Sequence, residues 1–209
     1  MTVVLPHDRS RIWSVDGEDI VVTLLAGVRE EGRILVAADS LATWQQEGYG
    51  ETVEKLQQVP GQDLVYGIYG EGNRDIQFRQ FLVESAFSTW GELVYKTPYE
   101  VDRLDIESVP HGFAVIVAGR LEGRIDIHTF RRFTVGGNDE ASKFVGQNRL
   151  AAKIAWDVAT AVAPSVDLEE RFAVVMKSVV TSSHPFLEPP VHMWRITPEC
   201  GCEHILGDG

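Results

Sequence analysis

The order of elements predicts an α+β chain in which two sheets pack between layers of helix. Three observations lead there. Apolar strand runs come before, between and after the helical segments instead of alternating with them one for one. Each helical segment carries a single apolar stripe, so each has one face to bury. The 209 residues contain no internal repeat, low-complexity stretch or linker, and that length suits one domain with a sizeable core.

The elements follow in order. Residues 11–15 and 20–22 flank Asp16-Gly17, a hairpin turn signal, so the first 22 residues read as orderable chain. Residues 21–29 and 33–38 are two apolar strands joined by a tight turn at Glu30-Glu31-Gly32, and Asp39 ends the second. A polar loop follows, and a third strand starts near Val53. Residues 63–70, D-L-V-Y-G-I-Y-G, form an apolar strand ending in glycine. Asn73 and Asp75 offer caps for a helix to about Tyr95, with Phe78, Leu82, Ala86, Trp90 and Leu93 on one face. Residues 97–110 read as a polar loop. The continuous apolar run 112–119 and the alternating run 124–130 are strands joined by a turn at 121–123. A second helix is expected over about 139–162, with Phe144, Ala151, Ala155, Val158 and Val162 as its stripe. A third is expected over 167–182, with Asp167 and Glu170 in capping-box spacing and Leu168, Phe172, Val175 and Val179 inward. Pro185, Pro189 and Pro190 break it, and residues 191–197 and 204–206 are final strands.

Composition excludes several classes of function. A net charge of −12 argues against a nucleic-acid groove, which needs a basic surface. No apolar run reaches membrane-spanning length, and the first residues lack the basic start and long apolar core of a signal peptide, so a cytoplasmic location is expected. Cys200 and Cys202 are too close for an ordinary disulfide framework. With His204 they form C-G-C-E-H, short of the four well-separated ligands of a structural metal site, and read as a reduced tail.

The stretch with chemical promise runs from Thr23 to Lys55. A hydroxyl (Thr23), a carboxylate (Asp39) and an ammonium (Lys55) come at a spacing of sixteen and sixteen. A hairpin brings the start of its first strand beside the end of its second, and a third strand can lay Lys55 between them. Each residue alone has a plain structural reading: a strand threonine, a turn-capping aspartate, a solvated lysine. In register, they form a constellation. The chain has five lysines, so chance places one at that offset about once in forty.

The residues T-L-L-A-G opening at Thr23, A-A-D-S-L-A-T ending at Thr43, and Lys55 resemble the β subunits of the proteasome and their bacterial relatives. These are threonine proteases of the N-terminal-nucleophile (Ntn) hydrolase superfamily. The resemblance implies a four-layer α-β-β-α sandwich over residues 23–209, preceded by an extension or propeptide, 1–22. It implies a threonine-type peptidase or amidohydrolase in which Thr23, once freed as an N-terminus, supplies the nucleophilic hydroxyl and, through its own amine, the base. Lys55 then lowers the proton affinity of both groups, and Asp39 holds Lys55. Gly70, in Y-G-E-G, matches the glycine whose N–H stabilises the oxyanion, with one residue inserted. Ala42, Val53, Gln57, Ile68 and Gly72 match the first specificity pocket and suggest a preference for small or apolar side chains. The mechanism requires no metal or organic cofactor. A homo-oligomeric ring, an ATPase unfoldase partner and peptide or protein substrates are further implications.

Two departures from the pattern stand out. Val22 replaces the glycine that usually precedes the nucleophile, and its β-branch crowds the bond that must be cut. Gly137, in V-G-G-N, stands where the family has a serine before its second long helix, and after the third helix T-S-S-H-P offers Ser182, Ser183 or His184 but no aspartate. These departures favour an alternative: a non-catalytic, structural ring subunit with an unprocessed N-terminus. An amidase acting on small amides is a third reading. Thr2 is a rival nucleophile, but Glu18 and Ile34 occupy the partner positions at its matching offsets.

Overall fold

A computed structural model describes residues 23–206 except 31, 45–48, 53, 71, 108–112, 132–133, 137–140, 147 and 184–190. The expectations for residues 1–22, including Thr2 and Val22, and for Val53, Gly137 and His184 lie outside the described residues.

Two five-stranded antiparallel sheets face each other. The first has the order β10-β1-β2-β11-β12, from Ser142–Gly146, Leu24–Glu30, Arg33–Ala38, His192–Thr197 and Gly201–Leu206. The second has the order β5-β6-β7-β8-β9, from Leu56–Gln58, Leu64–Tyr69, Ala114–Leu121, Arg124–Arg131 and Thr134–Gly136. Leu41–Trp44 (β3) and Tyr49–Thr52 (β4) form a separate two-stranded ribbon.

Strand alternation sets up three cores. Leu24, Ala26 and Val28 of β1 point away from the second sheet and pack with Trp156, Phe172 and Met176 of the helices Arg149–Val162 (α3) and Leu168–Ser182 (α4). Leu25 of β1 points the other way, into a core shared with Val65 and Ile116 of the second sheet. The outer face of that sheet buries Tyr66, Val117 and Phe130 against Phe78, Leu82, Leu93 and Leu104 of the helices Gly72–Ser85 (α1) and Trp90–Glu107 (α2). The layers are therefore helix, sheet, sheet, helix, the α+β sandwich that was expected.

Three expectations change. The single helix over 73–95 is two helices, broken where Ala86 turns to φ 43°. A reciprocal cap starts the second: the Glu92 amide donates to Thr89 Oγ1 at 3.0 Å, and the Ser88 amide donates to the Glu92 carboxylate at 3.1 Å. That helix then continues to Glu107, over most of the expected loop at 97–110, despite Pro98, because Val101 and Leu104 beyond it are fully buried. Finally, the expected helix over 139–162 is a strand followed by a shorter helix. Residues 142–146 pair with β1, and Phe144 belongs to that strand. The inner face of α3 is Ala152 and Trp156, while Val158 and Val162 are exposed.

Candidate active site

Asp39 and Lys55 meet at the N-terminal end of β1, which Thr23 directly precedes. Asp39 follows directly after β2, and the β1–β2 register pairs Leu25 with Ala38, so the hairpin returns Asp39 to the start of β1. The carboxylate is fully buried and both its oxygens are engaged. Oδ1 accepts from the Leu24 amide at 2.8 Å, and Oδ2 accepts from Lys55 Nζ at 2.9 Å. Asp39 thus ties the residue immediately after Thr23 to the ammonium of Lys55.

The Lys55 side chain is 5% exposed. Burial pushes its pKa below the ordinary lysine value, and the Asp39 carboxylate works against that shift. Lys55 lies one residue before β5, not inside a strand as expected. Thr23 is fully buried, and its Oγ1 has no hydrogen-bond partner among the described residues. Leaving a buried hydroxyl unpaired costs about 1–3 kcal/mol, so such groups call for a functional explanation.

Two glycines complete the surroundings. Gly70, buried directly after β6, holds φ +140°, a conformation that side-chain-bearing residues rarely adopt. Gly146 ends β10 opposite Leu24 with φ +96°. A Cβ built there would lie 2.0 Å from the Thr23 carbonyl oxygen and 3.1 Å from a ring carbon of Tyr69. Gly146 is therefore the point where the start of β1 meets the end of β6, and it brings the segment of Gly70 towards Thr23.

Gly146 and Asn148 escaped the sequence reading, which sought the polar turn before the second long helix around Gly137. Among the described residues, Gly146 closes β10 and Asn148 directly precedes α3. Asn148, in the left-handed region at φ 56°, precedes the helix, and its side-chain amide donates to Ser183 Oγ at 2.6 Å. Of the serines considered after α4, Ser183 joins this partly buried polar pair. Ser182 bonds back to the Val179 carbonyl of its own helix. The signal available in the sequence was the pattern S-K-F-V-G-Q-N, an alternating strand closed by glycine and asparagine.

The proposed pocket residues divide. Ile68 packs in the core beneath α1 and α2. Gln57 accepts from the Tyr66 hydroxyl at 3.3 Å and donates to Asp75 at 3.4 Å. Burial raises the pKa of Asp75, so this wall includes an acidic group that the sequence reading left out. Gly72 opens α1, and Ala42 lies in the β3–β4 ribbon. In the tail, Cys200 and Cys202 are free thiols, and burial beside Asp63 pushes the Cys202 thiol pKa up.

No family model matches this chain, and no curated protein matches it. Solved structures do. BPH from Thiobacillus denitrificans is 19% identical with a TM-score of 0.63, over 85% of this chain and 99% of that one. Eukaryotic HslV from Trypanosoma brucei is 16% identical with a TM-score of 0.62, over 83% and 99%. Anbu (ancestral beta-subunit) from Yersinia bercovieri is 12% identical with a TM-score of 0.66, over 89% and 88%. With its two facing sheets between helix pairs, the chain has the fold of the proteasome-like Ntn hydrolases to which its sequence bears a resemblance.

Proposed function

We propose that the chain is a threonine-type peptidase or amidohydrolase whose nucleophile is Thr23, exposed by cutting the chain after Val22. The observation that carries this reading is the buried Asp39 carboxylate, which holds the Leu24 amide on one oxygen and the Lys55 ammonium on the other. Two apolar groups of similar volume stabilise a core as well as a buried ion pair does, so the pair takes its meaning from its place at the start of β1, where the buried Thr23 Oγ1 has no hydrogen-bond partner among the described residues.

The roles follow from the chemistry. While residue 22 is attached, Thr23 carries an amide nitrogen and has no base. Cutting creates an α-amine with an ordinary pKa near 8, able to accept the hydroxyl proton near neutrality. The Lys55 positive charge favours the deprotonated hydroxyl, and Asp39 fixes that charge in place. The Gly70 N–H is the donor for the developing oxyanion, and Asn148 with Ser183 is the polar support for the amine. Residues 1–22 act as the propeptide and 23–209 as the mature domain.

Assembly into a homo-oligomeric ring belongs to the same reading. Leu150, Ile154, Val158 and Val162 form an exposed stripe along α3 at a spacing of four, with Val174 of α4 also exposed. Such a stripe suits burial against another subunit. An ATPase unfoldase partner and protein substrates are consistent with a ring.

Intact mass and N-terminal sequencing of the purified protein, wild type beside T23A, tests the proposal. The expected result is a wild-type product beginning at Thr23 that is absent from the variant. Epoxomicin, with which Thiobacillus denitrificans BPH has been solved, then serves as a probe, expected to add to the processed chain and not to T23A. Wild-type protein that stays full length and unmodified would instead support the non-catalytic subunit.

A further inference from the structure

We propose that Glu54, His192 and His204 form a binding site for one divalent transition-metal cation of the zinc class, fastening the two sheets together beside Lys55. A ring nitrogen from each histidine and a carboxylate oxygen of Glu54 all lie within 4.8 Å of one another. The sequence spaces them across 151 residues, and no motif announces them. The fold brings them together in two steps.

The first step is strand pairing. In the β11–β12 hairpin Trp194 lies opposite His204, so His192 is the diagonal neighbour of His204 on the same face. The two imidazoles are stacked with ring centroids 6.0 Å apart, and the indole of Trp194 stacks on His204 at 4.9 Å. The rings are thereby held by packing before any ligand arrives, which reduces the ordering that binding requires. The second step is sheet packing. His192 pairs with Ala38 of β2, on the face turned to the second sheet. Across that interface the segment leading into β5 presents Glu54.

The donor set is chemically selective. Two imidazoles and one carboxylate are the ligands of open, three-coordinate zinc sites, which keep a fourth position for water. Calcium and magnesium prefer oxygen ligands, and soft monovalent ions prefer thiolates. Tetrahedral geometry with bonds of about 2.0–2.1 Å puts neighbouring ligand atoms about 3.3–3.5 Å apart. His204 Nε2 and Glu54 Oε1 are 3.4 Å apart. The His192 ring also carries a buried nitrogen, Nδ1, with no hydrogen-bond partner among the described residues. Of the side chains described, this is the one group of three or more with ligand atoms this close. His204 thus joins His192 and Glu54, and not the cysteines of C-G-C-E-H.

The consequence is mechanical. Glu54 belongs to the second sheet's leading segment and precedes Lys55, whereas His192 and His204 belong to the first sheet. A cation held by all three is a cross-link between sheets, one residue from the ammonium that pairs with Asp39.

The test uses full-length protein stripped with a chelator and titrated with Zn²⁺ by calorimetry and with Co²⁺ by visible absorption. One cation per chain is expected, with cobalt ligand-field bands of a low-coordinate nitrogen–oxygen site that Zn²⁺ abolishes. E54Q, H192A and H204A should each weaken binding at least about tenfold. C200S/C202S should bind as wild type does. Zinc at a hundredfold excess over its Kd should raise the melting temperature of wild type by about 5–10 °C and leave the H192A/H204A double variant unmoved. Should H192A fold poorly, the more exposed positions decide through E54Q and H204A. Absence of wild-type binding, binding unaffected by these variants, or binding lost in C200S/C202S would each overturn the site. The first of these would leave Glu54 and His204 as a simple ion pair. None of these readouts depends on peptidase activity.

Discussion

The two ends of β1 carry the same kind of group and use it differently. At the N-terminal end Asp39 pairs with Lys55; at the other end Asp126 of β8 pairs with Arg29 at 2.8 Å. The ends are separated by six residues, or about 20 Å of strand. Both carboxylates are almost wholly buried. The cations differ. Lys55 is buried, and desolvation lowers its proton affinity, so its charge is sensitive to what surrounds it. Arg29 is 32% exposed and, as a guanidinium, keeps its charge throughout. It also donates to the Ile125 carbonyl at 2.6 Å, so it is a fixed clamp between the two sheets. The lesson is that a buried ion pair does not by itself mark a reaction centre. What sets the Thr23 end apart is a cation whose proton affinity burial lowers, together with a buried hydroxyl that has no hydrogen-bond partner among the described residues.

The contrast can be broken by removing each cation. K55A should abolish peptidase turnover, by about a thousandfold or more, and should destabilise the fold by about 3–5 kcal/mol because the buried Asp39 carboxylate loses the cation it pairs with. Peptide hydrolysis and urea denaturation measure the two effects. Glycine substitutions come next. G146A sets a Cβ against the Thr23 carbonyl at a strained φ and should cost about 2–4 kcal/mol while impairing processing. G27A, mid-strand, meets side-chain methyls and no backbone, Ile127 at 2.1 Å, Ile116 at 3.1 Å and Val36 at 3.3 Å, and should cost about 1–2 kcal/mol with processing intact. R29A should cost about 2–3 kcal/mol and leave kcat unchanged. If R29A silences turnover as K55A does, the distinction between the ends is lost.

Acid sharpens the comparison further. Burial of Asp126 raises its proton affinity, but the His128 ring 3.4 Å away, the Ile127 amide and Arg29 outweigh it and hold the pKa at about 2. An unfolded aspartate titrates near 3.9. The folded value is the lower one, so this carboxylate stabilises the fold above about pH 4, and that contribution, up to about 2.5 kcal/mol, fades as pH falls towards 2. Denaturation series from pH 5 to pH 2 should show a steep loss in wild type and a flatter one in D126N.

Local chemistry made much of this molecule legible in one dimension. The β1–β2 hairpin follows from two apolar runs around a turn, and β2 and the C-terminal end of α4 fall where the pattern puts them. Thr23, Asp39 and Lys55 could be named because a hairpin's register is local, and the structure joins Lys55 to Asp39 and Asp39 to Leu24. The α1–α2 break was obscured because Phe78, Leu82, Ala86, Trp90 and Leu93 keep helical spacing across it, while Ala86 itself takes a left-handed turn.

Other features arise only when distant segments meet. Residues 142–146 become a strand because β1 offers an open edge, and pairing there outweighs the helical spacing of Phe144 with the residues beyond it. Gly146 matters for the Thr23 carbonyl that closes on it, and Asn148 for Ser183, 35 positions later. The Glu54, His192 and His204 cluster is the extreme case, set by strand register on one sheet and by the packing of that sheet on the other. Periodicity and turn chemistry act over a few residues and can be read from neighbours. Register between strands far apart in the chain depends on which faces are buried together, a property that exists only once the sheets have packed.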